Sequence, residues 1–128
     1  MSSRRIIHSD HAPKAIGPYS QAVQVGNTIY LSGQTPIDPS TGELIVGDIV
    51  VQATQVFENL KAVLDAASLD FSHVARVGIY LTDLVNFAAV NEVMKKYFSE
   101  PYPARSTIGV AALPKMSQVE IDLVAVID

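Results

Sequence analysis

Arg105 is the residue of this chain best suited to chemistry on an anion. It stands in Tyr102-Pro103-Ala104-Arg105-Ser106, at the entry to an otherwise apolar, strand-like stretch. A guanidinium presents a planar fork that can hold a carboxylate by two parallel hydrogen bonds. The same residue would also suit a plain surface charge at a strand end, and residue type alone leaves both readings open. Glu120 and Asp122 lie two apart in Val119-Glu120-Ile121-Asp122, which on a strand puts both carboxylates on one face. If that face is buried, each must be hydrogen-bonded or paired, because a bare buried charge is costly. A carboxylate near an arginine can act as general acid or base on a water; it can equally form an ion pair between subunits.

Other candidates are weaker. Ser32 sits in Ser32-Gly33-Gln34, without the G-x-S-x-G setting of a nucleophile elbow, so a serine hydrolase is not expected. Gly33 fits a place where a ligand or another stretch of backbone comes close. Tyr19, after Gly17-Pro18, is either a turn-packing aromatic or a lid over a small site. His8, Asp10 and His11 form the one metal-like cluster, but it lies near a terminus without periodic support, so a solvated segment is expected there and no metal site. His73, Lys95-Lys96 and Arg4-Arg5 read as exposed. No Walker-type or dinucleotide-binding glycine motif is present, and no cofactor is expected. The absence of cysteine excludes disulfides and thiolate metal sites.

The elements that must position these groups follow from periodicity and punctuation. Ile6 and Ile7 suit a short first strand, and His11 to Tyr19 must be a loop. Ala22 to Val25 and Thr28 to Ser32 read as a hairpin turning at Gly26-Asn27, followed by a turn-rich loop from Gln34 to Gly42. Asp48 suits the N-cap of a helix running to about Ala67, with Ile49, Ala53, Val56, Phe57, Leu60, Leu64 and Ala67 on one face. Val74 to Thr82 reads as a strand. Asn86 then suits the cap of a second helix carrying Phe87, Val90, Met94, Tyr97 and Phe98, stopped by Pro101 and Pro103. Ala104 to Val110 and Val119 to Ile127 complete the order β-β-β-α-β-α-β-β.

Two helices can cover only one face of such a sheet. Yet the last strand is apolar on both sides, with Val119, Ile121, Leu123, Ala125 and Ile127 pointing one way and Val124 and Val126 the other. The second face therefore calls for another copy of the chain, and the protein is not expected to be a monomer. A length of 128 residues fits one domain over 1–128, and 48% hydrophobic against 17% charged residues agrees with apolar surface shared between subunits. The net charge of -4 argues against nucleic acid, whose binders show a basic stripe. No apolar run approaches the roughly 18 residues of a membrane span. The N-terminal MSSRRIIHSDHA is too polar for a secretory signal; its arginines and serines faintly echo a transit peptide, but patterned sequence begins almost at once, so a cytoplasmic location is expected.

Four ordered segments, Gly17-Pro18-Tyr19-Ser20-Gln21-Ala22, Ser32-Gly33-Gln34, Tyr102 to Ser106 and Val119 to Asp122, closely resemble the RidA (YjgF) family of reactive-intermediate deaminases. Asp38-Pro39-x-Thr41-Gly42-Glu43, Val90-Asn91 and Leu113-Pro114 extend the resemblance from about Ala15 to the C-terminus. It implies a chorismate-mutase-like α+β fold, a mixed sheet with two helices on one face, in a homotrimer with sites in the clefts between subunits. It also implies hydrolysis of enamino and imino acids such as 2-aminoacrylate to 2-keto acids and ammonia. In that reading Arg105 clamps the substrate carboxylate and Glu120 activates water, then passes a proton to the leaving amine. Tyr19 closes over the substrate, Ser32, Gly33 and the backbone at Thr107 line the pocket, and Asn91 supports it. Thr107 stands where many members carry cysteine, which bears on pocket size, and Asp122 replaces a common glutamate. The family is also linked to ribonuclease or translation-inhibitor activity, and a non-catalytic module that senses keto acids would use the same cleft.

Overall fold

The computed structural model describes residues 3–128. Met1 and Ser2, the start of the polar N-terminal segment, lie outside the described residues. The hairpin forms as expected: β2 (Ala22–Val25) pairs antiparallel with β3 (Thr28–Gln34), and β1 (Arg5–Ile7) adds to the outer side of β2. Gly26 leads the two-residue turn with φ +60°, a backbone that only glycine adopts freely. β3 continues past Ser32 to Gln34 through a bulge between Leu31 and Gln34. The extra residue breaks the two-residue alternation, which is why the sequence placed the strand end early.

Helix α1 spans Ile49–Ala66. The Asp48 carboxylate accepts from the Val51 amide at 3.0 Å, satisfying one of the orphan donors of the first turn. Ile49, Ala53, Val56, Phe57, Leu60 and Leu64 are buried along its inner face. β4 (Val74–Leu81) follows. The second helix begins where expected, after Asn86 in the N-cap position, but the Asn86 side chain makes no capping bond and α2 ends early, spanning only Phe87–Met94. Asp83 caps instead, accepting from Val85 N at 3.0 Å and starting a 3₁₀ turn that leads into α2. Tyr97 and Phe98 lie past the helix end, where Tyr97 stacks on Phe57 at 5.0 Å and Phe98 meets Phe71 at 5.0 Å. This aromatic packing takes the place of further helical turns, so the helix stops well before Pro101.

β5 (Ala104–Gly109) and β6 (Val119–Val126) complete a sheet of order β1-β2-β3-β6-β4-β5 among the described residues. β4 and β5 are parallel, joined by the α2 crossover, and every other neighbouring pair is antiparallel. Both helices pack on one face, over Ile29, Leu31, Val77, Ile79, Leu81, Ile121, Leu123 and Ala125. Tyr30, Ile108 and Val126, on the opposite face, stay 50%, 48% and 38% exposed. The mixed sheet with two helices on one side is thus as expected, and no layer of the described residues covers the other side.

Candidate functional site

Glu120 projects from β6 onto the open face, where its partner in register is Tyr80 of β4. On the other side it meets the β3 bulge: a Cβ on Gly33 would lie 2.5 Å from Glu120 Oε2. The close approach at Gly33 is therefore that of a carboxylate side chain, where a ligand or backbone was expected. Burial pushes the Glu120 carboxyl above the usual carboxylate range, and the negative charge of Asp122 adds to the shift. Among the described residues no hydrogen bond to the carboxylate offsets that burial.

Glu120, Tyr19, Ser32 and Gly33 line a cavity of about 730 Å³, with Lys14 and Lys115 on its walls. Tyr19, 51% exposed, sits at the mouth, its amide bonded back to Gly17 O at 2.8 Å. The Ser32 hydroxyl donates to Ser20 O at 2.6 Å, so its proton fixes the neighbouring loop and only its lone pairs remain for a ligand. The sequence reading missed the buried amides that hold these walls. Gln21 accepts from Ser9 N at 2.7 Å and donates to Pro13 O at 2.9 Å. On α1, Asn59 donates to Ile37 O at 2.9 Å, while Gln52 donates to Ile45 O and accepts from Gln118 N, each at 3.0 Å. The signal was available: two amides seven residues apart on an apolar helix face need partners.

Arg105 occupies a second cavity, of about 500 Å³, lined also by Asn91, Met94, Tyr102 and Pro103. Its Nη1 donates to Asn91 Oδ1 at 2.5 Å, and its Cζ lies 5.1 Å from the centroid of the Phe87 ring. Phe87, grouped in the sequence with the apolar positions of the second helix, is 41% exposed and lies against the guanidinium. No carboxylate of the described residues forms an ion pair with Arg105. Thr107 follows two residues along the same face of β5, and its Oγ1 is buried with no hydrogen-bond partner among the described residues. The guanidinium is thus oriented by Asn91 and Phe87.

The two groups of residues do not share a cavity within one chain. Arg105 pairs in register with Val77, which faces the helices, whereas Glu120 pairs with Tyr80 on the open side. Tyr19, Ser32, Gly33 and Glu120 come together; Asn91, Arg105 and Thr107 come together; the sheet separates the sets. Elsewhere, His8 Nε2 lies 2.9 Å from Asp10 Oδ1 at the surface, and among the described residues no three potential metal-binding side chains converge. His73, read as exposed, is half-buried and completes a capping box with Asp70. No helix of the described residues is long and apolar enough to cross a membrane.

Residues 9–127 match the family model described as endoribonuclease L-PSP. The chain is 62% identical over 126 residues to protein DfrA of Myxococcus xanthus, covering 97% of this chain and 96% of that one. It is 51% identical over 128 residues, the whole of both chains, to a 2-iminobutanoate/2-iminopropanoate deaminase of Dermatophagoides farinae. RidA from an Antarctic Psychrobacter superposes with a TM-score of 0.92 at 51% identity, over 96% of this chain and 99% of its own. A match of this extent in sequence and fold places the chain in the endoribonuclease L-PSP family, the RidA/YjgF family that its motifs resemble.

Proposed function

We propose that this protein hydrolyses 2-imino acids, and the 2-enamino acids that tautomerise to them, to 2-keto acids and ammonia without a cofactor. The observation that carries this reading is the end-to-end 51% identity with a protein named 2-iminobutanoate/2-iminopropanoate deaminase. The chemistry of the site residues supports it. Arg105 would hold the α-carboxylate by its fork. Glu120 would take a proton from water as the oxygen bonds to the imine carbon and return it to the imine nitrogen, giving a neutral carbinolamine. It would then take the carbinolamine hydroxyl proton as the C=O bond forms and pass it to the nitrogen as the C–N bond breaks, leaving the keto acid and ammonia. An imine carbon is already electrophilic, so holding the reactants and relaying the two water protons in turn can suffice.

Because Arg105 and Glu120 face opposite sides of one sheet, this reaction needs the arginine half of one copy beside the glutamate half of another. The apolar groups on the uncovered face, Tyr30, Ile108 and Val126, support such an assembly. A homotrimer in the cytoplasm, with one site per interface, is the form we propose. Ribonuclease activity, which the family description names, finds no matching feature in a chain of net charge -4. The test is a coupled assay in which a pyridoxal-phosphate-dependent dehydratase supplies the imine and keto-acid release is timed. Acceleration by this protein is expected; an unchanged rate of release would defeat the reading.

A further inference from the structure

The open face holds a second carboxylate that the proposed reaction does not use. Asp122 lies next to Glu120 on the same side of β6, and each carboxylate sits over a glycine of a neighbouring strand. Gly33 of β3 makes room for Glu120, and a Cβ on Gly78 of β4 would collide with Asp122 Oδ1. Tyr80 stands opposite Glu120 in register, yet its hydroxyl donates to Asp122 Oδ2 at 2.9 Å. Arg76, one step further along β4, places Nη1 3.9 Å from Asp122 Oδ1. The Asp122 carboxylate is therefore held in place by a hydroxyl and a nearby cation, while Glu120 has no such partner among the described residues.

We propose that Asp122, fixed by Tyr80 and Arg76, is a positioning residue that sets the pH at which Glu120 exchanges its proton. The proposal rests on the reading of Glu120 as the proton carrier and adds the groups that tune it. The charged and titratable groups around Glu120 are Asp122 on its own strand, Tyr80 and Arg76 from β4, and Tyr19, Lys14 and Lys115 on the cavity walls; β3 contributes the uncharged Ser32, Gly33 and Gln34 to that cavity and, further along the open face, Tyr30 opposite Val124. A like charge held beside a carboxyl favours its protonated form, and a cation beside that charge weakens the effect. The direction of the Glu120 shift, with Asp122 among its causes, agrees with this arrangement. Tyr80 is pushed up in turn by its bond to Asp122, so it remains a hydroxyl donor throughout the neutral range.

The test titrates the Glu120 carboxyl carbon directly, by NMR of ¹³C-labelled protein with Glu120→Gln used for assignment. Asp122→Asn, which keeps the shape and removes the charge, should move the Glu120 midpoint to lower pH. Arg76→Gln, which unmasks Asp122, should move it to higher pH. The pH profile of kcat/KM should follow with the same opposite signs. A midpoint unmoved in Asp122→Asn, or moved the same way in both variants, overturns the proposal. If one variant does not fold, the sign of the shift in the other decides. The NMR midpoint is read whether or not an imine is turned over, so failure of the deaminase reading is distinguishable from failure of this one.

Discussion

At the scale of single residues, Glu120 and Arg105 illustrate two ways of making a side chain available. Glu120 is half-buried with its carboxyl held above the usual range, while Arg105 is exposed, yet oriented by Asn91 and Phe87. Replacing Glu120 by Gln should lower kcat by about 10²–10⁴-fold with little change in keto-acid affinity measured by calorimetry. The substitution should also stabilise the protein in a pH-dependent way. The folded carboxyl has the raised value, so the folded state binds the proton more tightly than the unfolded chain. That contribution is present below the unfolded value and is lost as pH rises through the folded one, where ionisation costs stability. Denaturation of Glu120→Gln should therefore exceed wild type in midpoint at neutral pH and converge with it in acid. Arg105→Lys keeps the charge but loses the fork, and KM should rise by roughly 10–100-fold.

At the scale of elements, the β3 bulge sets the glutamate half. The extra residue turns Gly33 toward β6, where only the missing side chain leaves space for Glu120. Gly33→Ala should leave the thermal midpoint within a few degrees of wild type, since this glycine does not need a left-handed backbone. It should reduce kcat/KM by about tenfold or more, because the carboxylate must shift from its place. On α1, Gln52 and Asn59 tie the loop between β3 and the helix to the sheet. The walls of the cavity therefore owe their shape to amide bonds from a helix that contributes nothing to the chemistry itself. Periodicity revealed that helix through its apolar positions and put Gln52 and Asn59 on the same face, while the groups they bond became legible only in the tertiary structure.

At the scale of the whole molecule, the sheet is a divider. It carries the arginine half on the helix side at edge strand β5 and the glutamate half on the bare side. A second copy completing both the apolar face and the site would link assembly to activity. Val126→Lys would place an unpaired ammonium on the contact face, at a cost of several kcal/mol if buried. Sedimentation of this variant should show smaller particles than wild type, with native circular dichroism and lost turnover. Wild-type protein that sediments as a single chain would remove the shared-site arrangement.

Amphipathic period, turn residues and the Asp48 cap determined where α1, the β2–β3 hairpin, β4 and β6 lie, because these signals are local. The double-sided apolar pattern of β6 likewise determined that one sheet face lacks cover. The end of α2 at Met94 was legible only in the tertiary structure, where Tyr97 packs on Phe57 and Phe98 on Phe71 beyond the helix. Alternation along β6 put Glu120 on the uncovered face with Val124, but strand order and register decide that Arg105 lies on the helix side, away from it. Those depend on pairing between segments distant in sequence, which no local pattern encodes.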